Sequence, residues 1–238
     1  SARAPSVMHA VHGVKEALLY SGFTEIREED PWHIEKGGKY VVTRNGSALI
    51  AFTVPEEGAR SFHIMASHAD SPCFKIKENP EIKEGPYVKL NVEGYGGMIM
   101  STWLDRPLSV AGRLIVRENG HLAQKLAAVD GTMLVIPSVA IHMDRNVNHK
   151  KDWNVQKDLL PLYGLATEKT SFMDVIAASA NVKTEDIVAH DLYLYSRVPG
   201  TIWGEEKEFI SSPKLDDLQC AFAAFRGFMR GKKEKHIS

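Results

Sequence analysis

Between Ser6 and Tyr20, apolar residues fall at Val7, Met8, Val11, Val14 and Leu18, one stripe at helical period. Ser6 is a good N-cap type and Gly22 a good stop, so the pattern predicts a helix over roughly 6–20. His9 and His12 lie within it and read as packing or surface histidines. Strand-like segments follow: KYVVTRN (39–45), SALIAFTV (47–54) and SFHIMASH (61–68), the first two joined through Asn45-Gly46-Ser47, a hairpin signal. SALIAFTV and FHIMAS are near-continuous apolar runs, as in strands covered on both faces. They predict a central sheet flanked by helices.

Past Gly94-Tyr95-Gly96-Gly97 the pattern shortens. LSVAGRLIVREN, HLAQKLAAV and TMLVIPS alternate with turns such as Glu118-Asn119-Gly120, and predict a β-rich insert. A helix is expected from Ser171 to Ala180, with a short turn at Thr184, Glu185 and Asp186. The alternating DLYLYSR predicts a half-buried strand. A last helix starts near Asp216, with Leu218, Phe222, Phe225 and Met229 on one stripe. These breaks divide the chain into residues 1–97, an insert at 98–196, and residues 197–238, which return to the first fold. The fold class is α/β.

Composition narrows the function. With 238 residues and 44% hydrophobic content, the chain can bury a sizeable core. A formal net charge of −1 supplies no general attraction to nucleic acid or an acidic membrane. The basic run RGKKEK is interrupted by Glu234 and reads as a solvated segment. No apolar run is long enough to span a bilayer, and the opening residues lack a secretory leader pattern. Cys73 and Cys220 are the only cysteines, too few for a disulfide framework. Cytoplasmic residence is the expectation.

Two places can carry chemistry. His68 and Asp70 are two residues apart in an extended segment, so they project to one face just before Ser71-Pro72. Neutral imidazole is a zinc ligand, and an adjacent carboxylate can orient it; a strand-end histidine with a hydrogen-bonded aspartate has the same spacing. In SSPKLDDL, Asp216 and Asp217 fall at a helix start. Carboxylates there serve either a metal or the helix itself, as N-cap and first-turn acid. The chain contains no G-x-S-x-G, Walker A, Cys-x-x-Cys or His-Glu-x-x-His motif.

Longer motifs decide between these readings. HADSPCFKIKENP, YGGMIMSTWLDRPLSVAGRLIV, IPSVAIHMDRN and FISSPKLDDLQCAFAAF, in that order, resemble the aspartyl aminopeptidase family of dinuclear zinc exopeptidases. The opening SVMHAVHGVKEALLYSGFTEI is similar to that family's first helix, so the likeness runs along nearly the whole chain. It implies a zinc-exopeptidase-like central sheet flanked by helices, with the 98–196 insert as a β-rich dimerisation domain. It implies two zinc ions per subunit, a peptide substrate and a homo-oligomer, dimer-based and up to a dodecamer. By this likeness His68 binds one zinc, Asp70 supports His68, and Asp216 bridges both ions. Asp217 stands where relatives carry Asn and is read as a helix-start residue. His142, in Ala140-Ile141-His142, is a substrate-binding candidate approaching a partner subunit's active site, or else a histidine satisfied within an interface.

The family pattern continues, beyond the Asp216 helix, into an Asp-Asn-Glu-Glu-Val-Gly-like motif and further ligands that these 238 residues do not contain. The expectation is therefore a chain that is part of a longer enzyme and inactive alone, with an exposed sheet edge and apolar face. Two other readings stay open: a non-catalytic assembly module of the same fold, and a related dinuclear metal deacylase.

Overall fold

The structure, a computed structural model, describes residues 4–59, 61–149, 151–167 and 171–231. The RGKKEK run from Lys232 onward lies outside the described residues. Helix α1 (Val7–Tyr20) precedes β1 (Thr24–Glu25), β2 (Lys39–Arg44) and β3 (Ala48–Thr53). Strands β4 (Cys73–Glu84), β5 (Tyr87–Tyr95), β6 (Leu108–Glu118) and β7 (His121–Ala128) follow. Next come α2 (Val155–Asp158), β8 (Leu162–Leu165), α3 (Phe172–Ser179) and β9 (Ile187–Ser196). The hairpin β10 (Thr201–Trp203) and β11 (Phe209–Ser211) leads to α4 (Leu215–Arg230). The described residues pack as two compact units, one of residues 4–5 and 72–213, the other of residues 6–71 and 214–231.

In the second of these units, β2 and β3 pair antiparallel from Lys39↔Thr53 to Arg44↔Ala48, and β1 adds a parallel edge. Asn45 and Gly46 adopt positive φ in the connecting loop, the conformation their residue types tolerate. Ser6 caps α1, its hydroxyl accepting from the His9 N–H. Leu18, Phe23 and Val41 form a small buried cluster, against which Val14, Leu49, Phe225, Phe228 and Met229 pack. The α4 stripe is thus only partly used: Phe225 and Met229 join the cluster, whereas Phe222 is 64% exposed.

The strand expected at 61–68 is absent. Residues 61–67 form no ladder, and Phe62 and Ile64 are 83% and 84% exposed. An apolar run becomes a strand only when its N–H and C=O groups find a neighbouring backbone, and no described strand pairs with it. Nor is β3 covered on both faces, since Ile50 is exposed and β3 lies at the edge of its sheet.

The other unit is built on a six-stranded antiparallel sheet in the order β7-β6-β9-β4-β5-β8. Asn119 and Gly120, both at positive φ, close the two-residue β6–β7 hairpin, which matches the strand twist. One face buries Phe74, Ile76, Leu90, Val92, Leu114, Leu192 and Leu194 together with Phe172 and Ile176 of α3. Ser171 and Asp174 cap α3 reciprocally, as a capping box. At Gly112 in β6 a Cβ would collide with the Asp191 carbonyl, so only glycine lets β6 and β9 approach this closely. Beside it, Asp191 accepts from Lys75 Nζ at 2.9 Å and from Arg113 Nε at 2.8 Å.

Candidate metal centre

The segment 61–71 and the start of α4 together bring His68, Asp70, Asp216 and Asp217 into one cluster within a single unit. His68 follows the irregular apolar run, and Asp70 lies two residues on, so both side chains meet locally. His68 Nδ1 lies 3.1 Å from Asp70 Oδ1 and 3.2 Å from the Asp70 carbonyl oxygen. Both oxygens can only accept, so Nδ1 carries the proton and donates it, leaving the Nε2 lone pair directed elsewhere. Nε2 faces Asp217 Oδ2 at 3.4 Å and Asp216 Oδ1 at 3.8 Å. The hydrogen bond to Asp70, reinforced by the charge of Asp217, holds the His68 imidazole above its ordinary pKa despite some desolvation.

The two aspartates reach the imidazole because α4 does not begin as a regular helix. Lys214 is left-handed (φ 64°), and Asp216 has φ −87° and ψ 109°. That ψ is extended, so regular helix starts only after Asp217, and consecutive carboxylates turn toward one histidine. The peptide bond between them is cis. The sequence pattern gives Asp217 a helix-start role, yet in the structure its carboxylate is the nearer of the two. It is also the better enclosed, with 16% of its side chain exposed against 76% for Asp216. One turn on, the Cys220 thiol donates to Asp217, and this hydrogen bond pushes the thiol pKa up.

One imidazole nitrogen and two carboxylate oxygens, all within 4.8 Å of one another, make a donor set that fits zinc. Asp70 occupies the supporting place behind the imidazole, fixing its tautomer. His142 belongs to the other unit, where it is exposed on a turn at 141–143.

A sheet-and-helix frame thus presents an oriented imidazole to paired carboxylates, a donor set that could hold a divalent metal on an α/β fold. The chain belongs to the M18 family of metallopeptidases: the family model described as aminopeptidase I zinc metalloprotease (M18) matches residues 2–238. "Probable M18 family aminopeptidase 2" of Clostridium acetobutylicum is 45% identical over 237 residues, covering 96% of this chain and 55% of its own length. "Aspartyl aminopeptidase 4" of Saccharomyces cerevisiae is 35% identical, over 93% of this chain and 52% of its length. Among solved structures, the cryo-EM structure of the Ape4 and Nbr1 complex matches at TM-score 0.91 and 32% identity, over 98% of this chain and 49% of that one. The structure of the S. cerevisiae mApe1 dodecamer matches at TM-score 0.81 and 25% identity, over 95% and 53%. The chain therefore spans about half the length of the relatives it matches. Among the described residues, no helix is long and apolar enough to cross a membrane.

Proposed function

We propose that this chain is part of a zinc aminopeptidase that releases N-terminal residues from peptides, with acidic residues the first class to test. The observation that carries this reading is the imidazole of His68, held from behind by Asp70 and facing Asp216 and Asp217. In this reading His68 would hold one zinc, Asp216 would be a ligand shared by the two zinc ions expected per subunit, and Asp217 would add a further oxygen. Bound zinc supplies Lewis acidity toward the scissile carbonyl. Asp70, accepting from Nδ1, directs Nε2 of His68 toward the ion it would hold, and His142 contacts the substrate. Two tetrahedral ions need more ligands than these three side chains offer. The relatives are nearly twice as long as the span matched here, and we assign the remaining ligands and the general base to the part of the fold those relatives have beyond it.

The insert at 98–196 is assigned to subunit contacts in a cytoplasmic, dimer-based homo-oligomer, with the dodecamer named for a structural relative as the reference assembly. The test is made in the natural full-length protein. Asp216→Ala should abolish cooperative loading of two zinc ions, read by metal analysis and calorimetric titration, and should remove peptidase activity. Unchanged metal stoichiometry with a normal rate would refute the assignment. An intact oligomer that binds no metal would establish the assembly module instead, and cleavage of N-acyl substrates in place of aminoacyl ones the deacylase.

A further inference from the structure

We infer that Asp105 is a positioning residue for His142, fixing the base of the loop that carries it. The inference rests on the reading of His142 as a substrate contact. Residues 137–144 belong to no strand or helix, so the placement of His142 depends on how the two ends of this stretch are held. At its start, Leu104 bridges to Ile136 in parallel and the Asp105 N–H donates to the Ile136 carbonyl at 2.9 Å. The Asp105 carboxylate then accepts from the Ser138 N–H at 2.9 Å and from the Ser138 hydroxyl at 2.6 Å. One residue thus grips both sides of Pro137 by backbone and side chain together. These two hydrogen bonds hold the Asp105 carboxyl below its ordinary pKa, so it remains the charged, stronger acceptor at neutral pH.

Asp105 does this from a left-handed conformation, φ 56°, which a non-glycine residue adopts only against a steric cost. That backbone turn is what aims its carboxylate at Ser138. Beyond the loop, Asp144 accepts from Lys151 Nζ at 3.0 Å, which ties down the far end. His142 sits between the two anchors, on the turn closed by the Met143 N–H to the Ala140 carbonyl at 2.8 Å.

Asp105→Gly, Asp105→Asn and His142→Ala in the natural full-length protein test this. Glycine tolerates the positive φ but removes both acceptors, whereas asparagine keeps one acceptor and also tolerates this backbone. With Asp105→Gly, amide exchange over 138–143 should accelerate by about tenfold, the loss of charge-assisted hydrogen bonds, while β6 and β9 keep their protection. KM for an aminoacyl peptide should rise by about as much as in His142→Ala, with kcat nearly unchanged, and Asp105→Asn should restore most of both readouts. If His142→Ala raises KM but Asp105→Gly does not, the positioning role is wrong and the substrate contact stands. If His142→Ala leaves KM unchanged, the substrate reading fails and the positioning role falls with it. Unchanged exchange over 138–143 in Asp105→Gly overturns the anchor itself.

Discussion

Behind its six-stranded sheet, the unit of residues 72–213 buries Phe74, Phe172, Ile76, Leu90 and Leu192 at or near zero exposure. The unit that holds His68 and the aspartates gathers a cluster of Leu18, Phe23 and Val41, bordered by half-buried residues of α1 and α4. The difference separates stability from chemistry. A closely packed sheet obtains its stability from apolar burial and needs no ligand. Two carboxylates facing one imidazole gain nothing from being driven together without a cation, and they repel. A metal that binds only the folded site stabilises that unit by linkage. Thin packing around the candidate centre is thus consistent with a site completed by what it binds.

The strongest challenge to this contrast is truncation in each core. Phe74 and Phe172 are fully buried, and Phe74→Ala should cost about 3–5 kcal/mol. Phe228 is half-buried, with its ring 5.7 Å from that of Phe23, and Phe228→Ala should cost only about 1–2 kcal/mol. Amide exchange under native conditions, read separately over β6 and β9 and over α1 and β2, measures both. Equal losses would show that the two cores carry similar weight and would remove the contrast.

Smaller effects are the pH responses of single groups in each unit. Burial tends to raise the Asp191 carboxyl, but hydrogen bonds from Lys75 and Arg113 outweigh it and hold the pKa below the ordinary carboxylate value. A depressed carboxylate contributes stability above its unfolded pKa and loses it as pH falls through the folded value, so the Asp191 contribution should fade only below about pH 4. His9 behaves differently. Burial, then the charges of Lys214 and His12, lower its pKa from 6.5 to about 4. A histidine buried neutral loses stability as pH falls from 6.5 toward 4, because the unfolded chain takes up the proton first. The contribution of His9 should therefore fade over that window while that of Asp191 persists through it; in the sheet unit, His190 of β9, its pKa also lowered by burial, responds in the same sense as His9. His9→Gln should flatten the first response, and Asp191→Ala should cost about 2 kcal/mol at neutral pH. Exchange over α1, followed from pH 7 to pH 4 in the parent and in His9→Gln, checks the first, and identical profiles contradict the His9 assignment; exchange over β6 and β9 at pH 7 reads the Asp191→Ala loss.

Much of this architecture is legible in the chain because its signals are local. The α1 stripe, the β2–β3 hairpin, the Asn119-Gly120 turn and the helix start near Ser171 each depend on a few adjacent residues, and all occur as expected. The long β4–β5 hairpin was harder to read. Its register shifts between Ile76 and Glu81, and that irregularity breaks the period-two alternation on which a strand is recognised. The run 61–67 shows the opposite error, since its apolar composition is strand-like whether or not another backbone lies beside it. At the centre, His68 and Asp70 are legible from their two-residue spacing. Asp217 is not, because the ψ of 109° at Asp216 that turns its carboxylate toward His68 leaves no mark in residue types. Pairing His68 with Asp216 across the chain needed the family likeness or the folded structure.

The smallest effect concerns the two helix starts. Ser171 and Asp174 satisfy each other's backbone N–H groups at α3, with Thr184 Oγ1 donating to the other Asp174 oxygen at 2.5 Å. Ser6 caps α1 from a buried position and its hydroxyl also lies 2.8 Å from His9 Nδ1. Each loses its cap on substitution by alanine, at about 1 kcal/mol. The consequences should nonetheless differ. Ser171→Ala acts on a short helix seated on the large core through Phe172 and Ile176, so the helix persists and only its first turn exchanges faster. Ser6→Ala also removes the hydroxyl beside His9 in the thinner unit, and its effect should spread along α1 to Leu18. Peptide-resolved exchange over 172–179 and 7–20 distinguishes a local from a spreading loss. A loss confined to the first turn in both helices would mean that the smaller cluster holds α1 as firmly as the sheet holds α3.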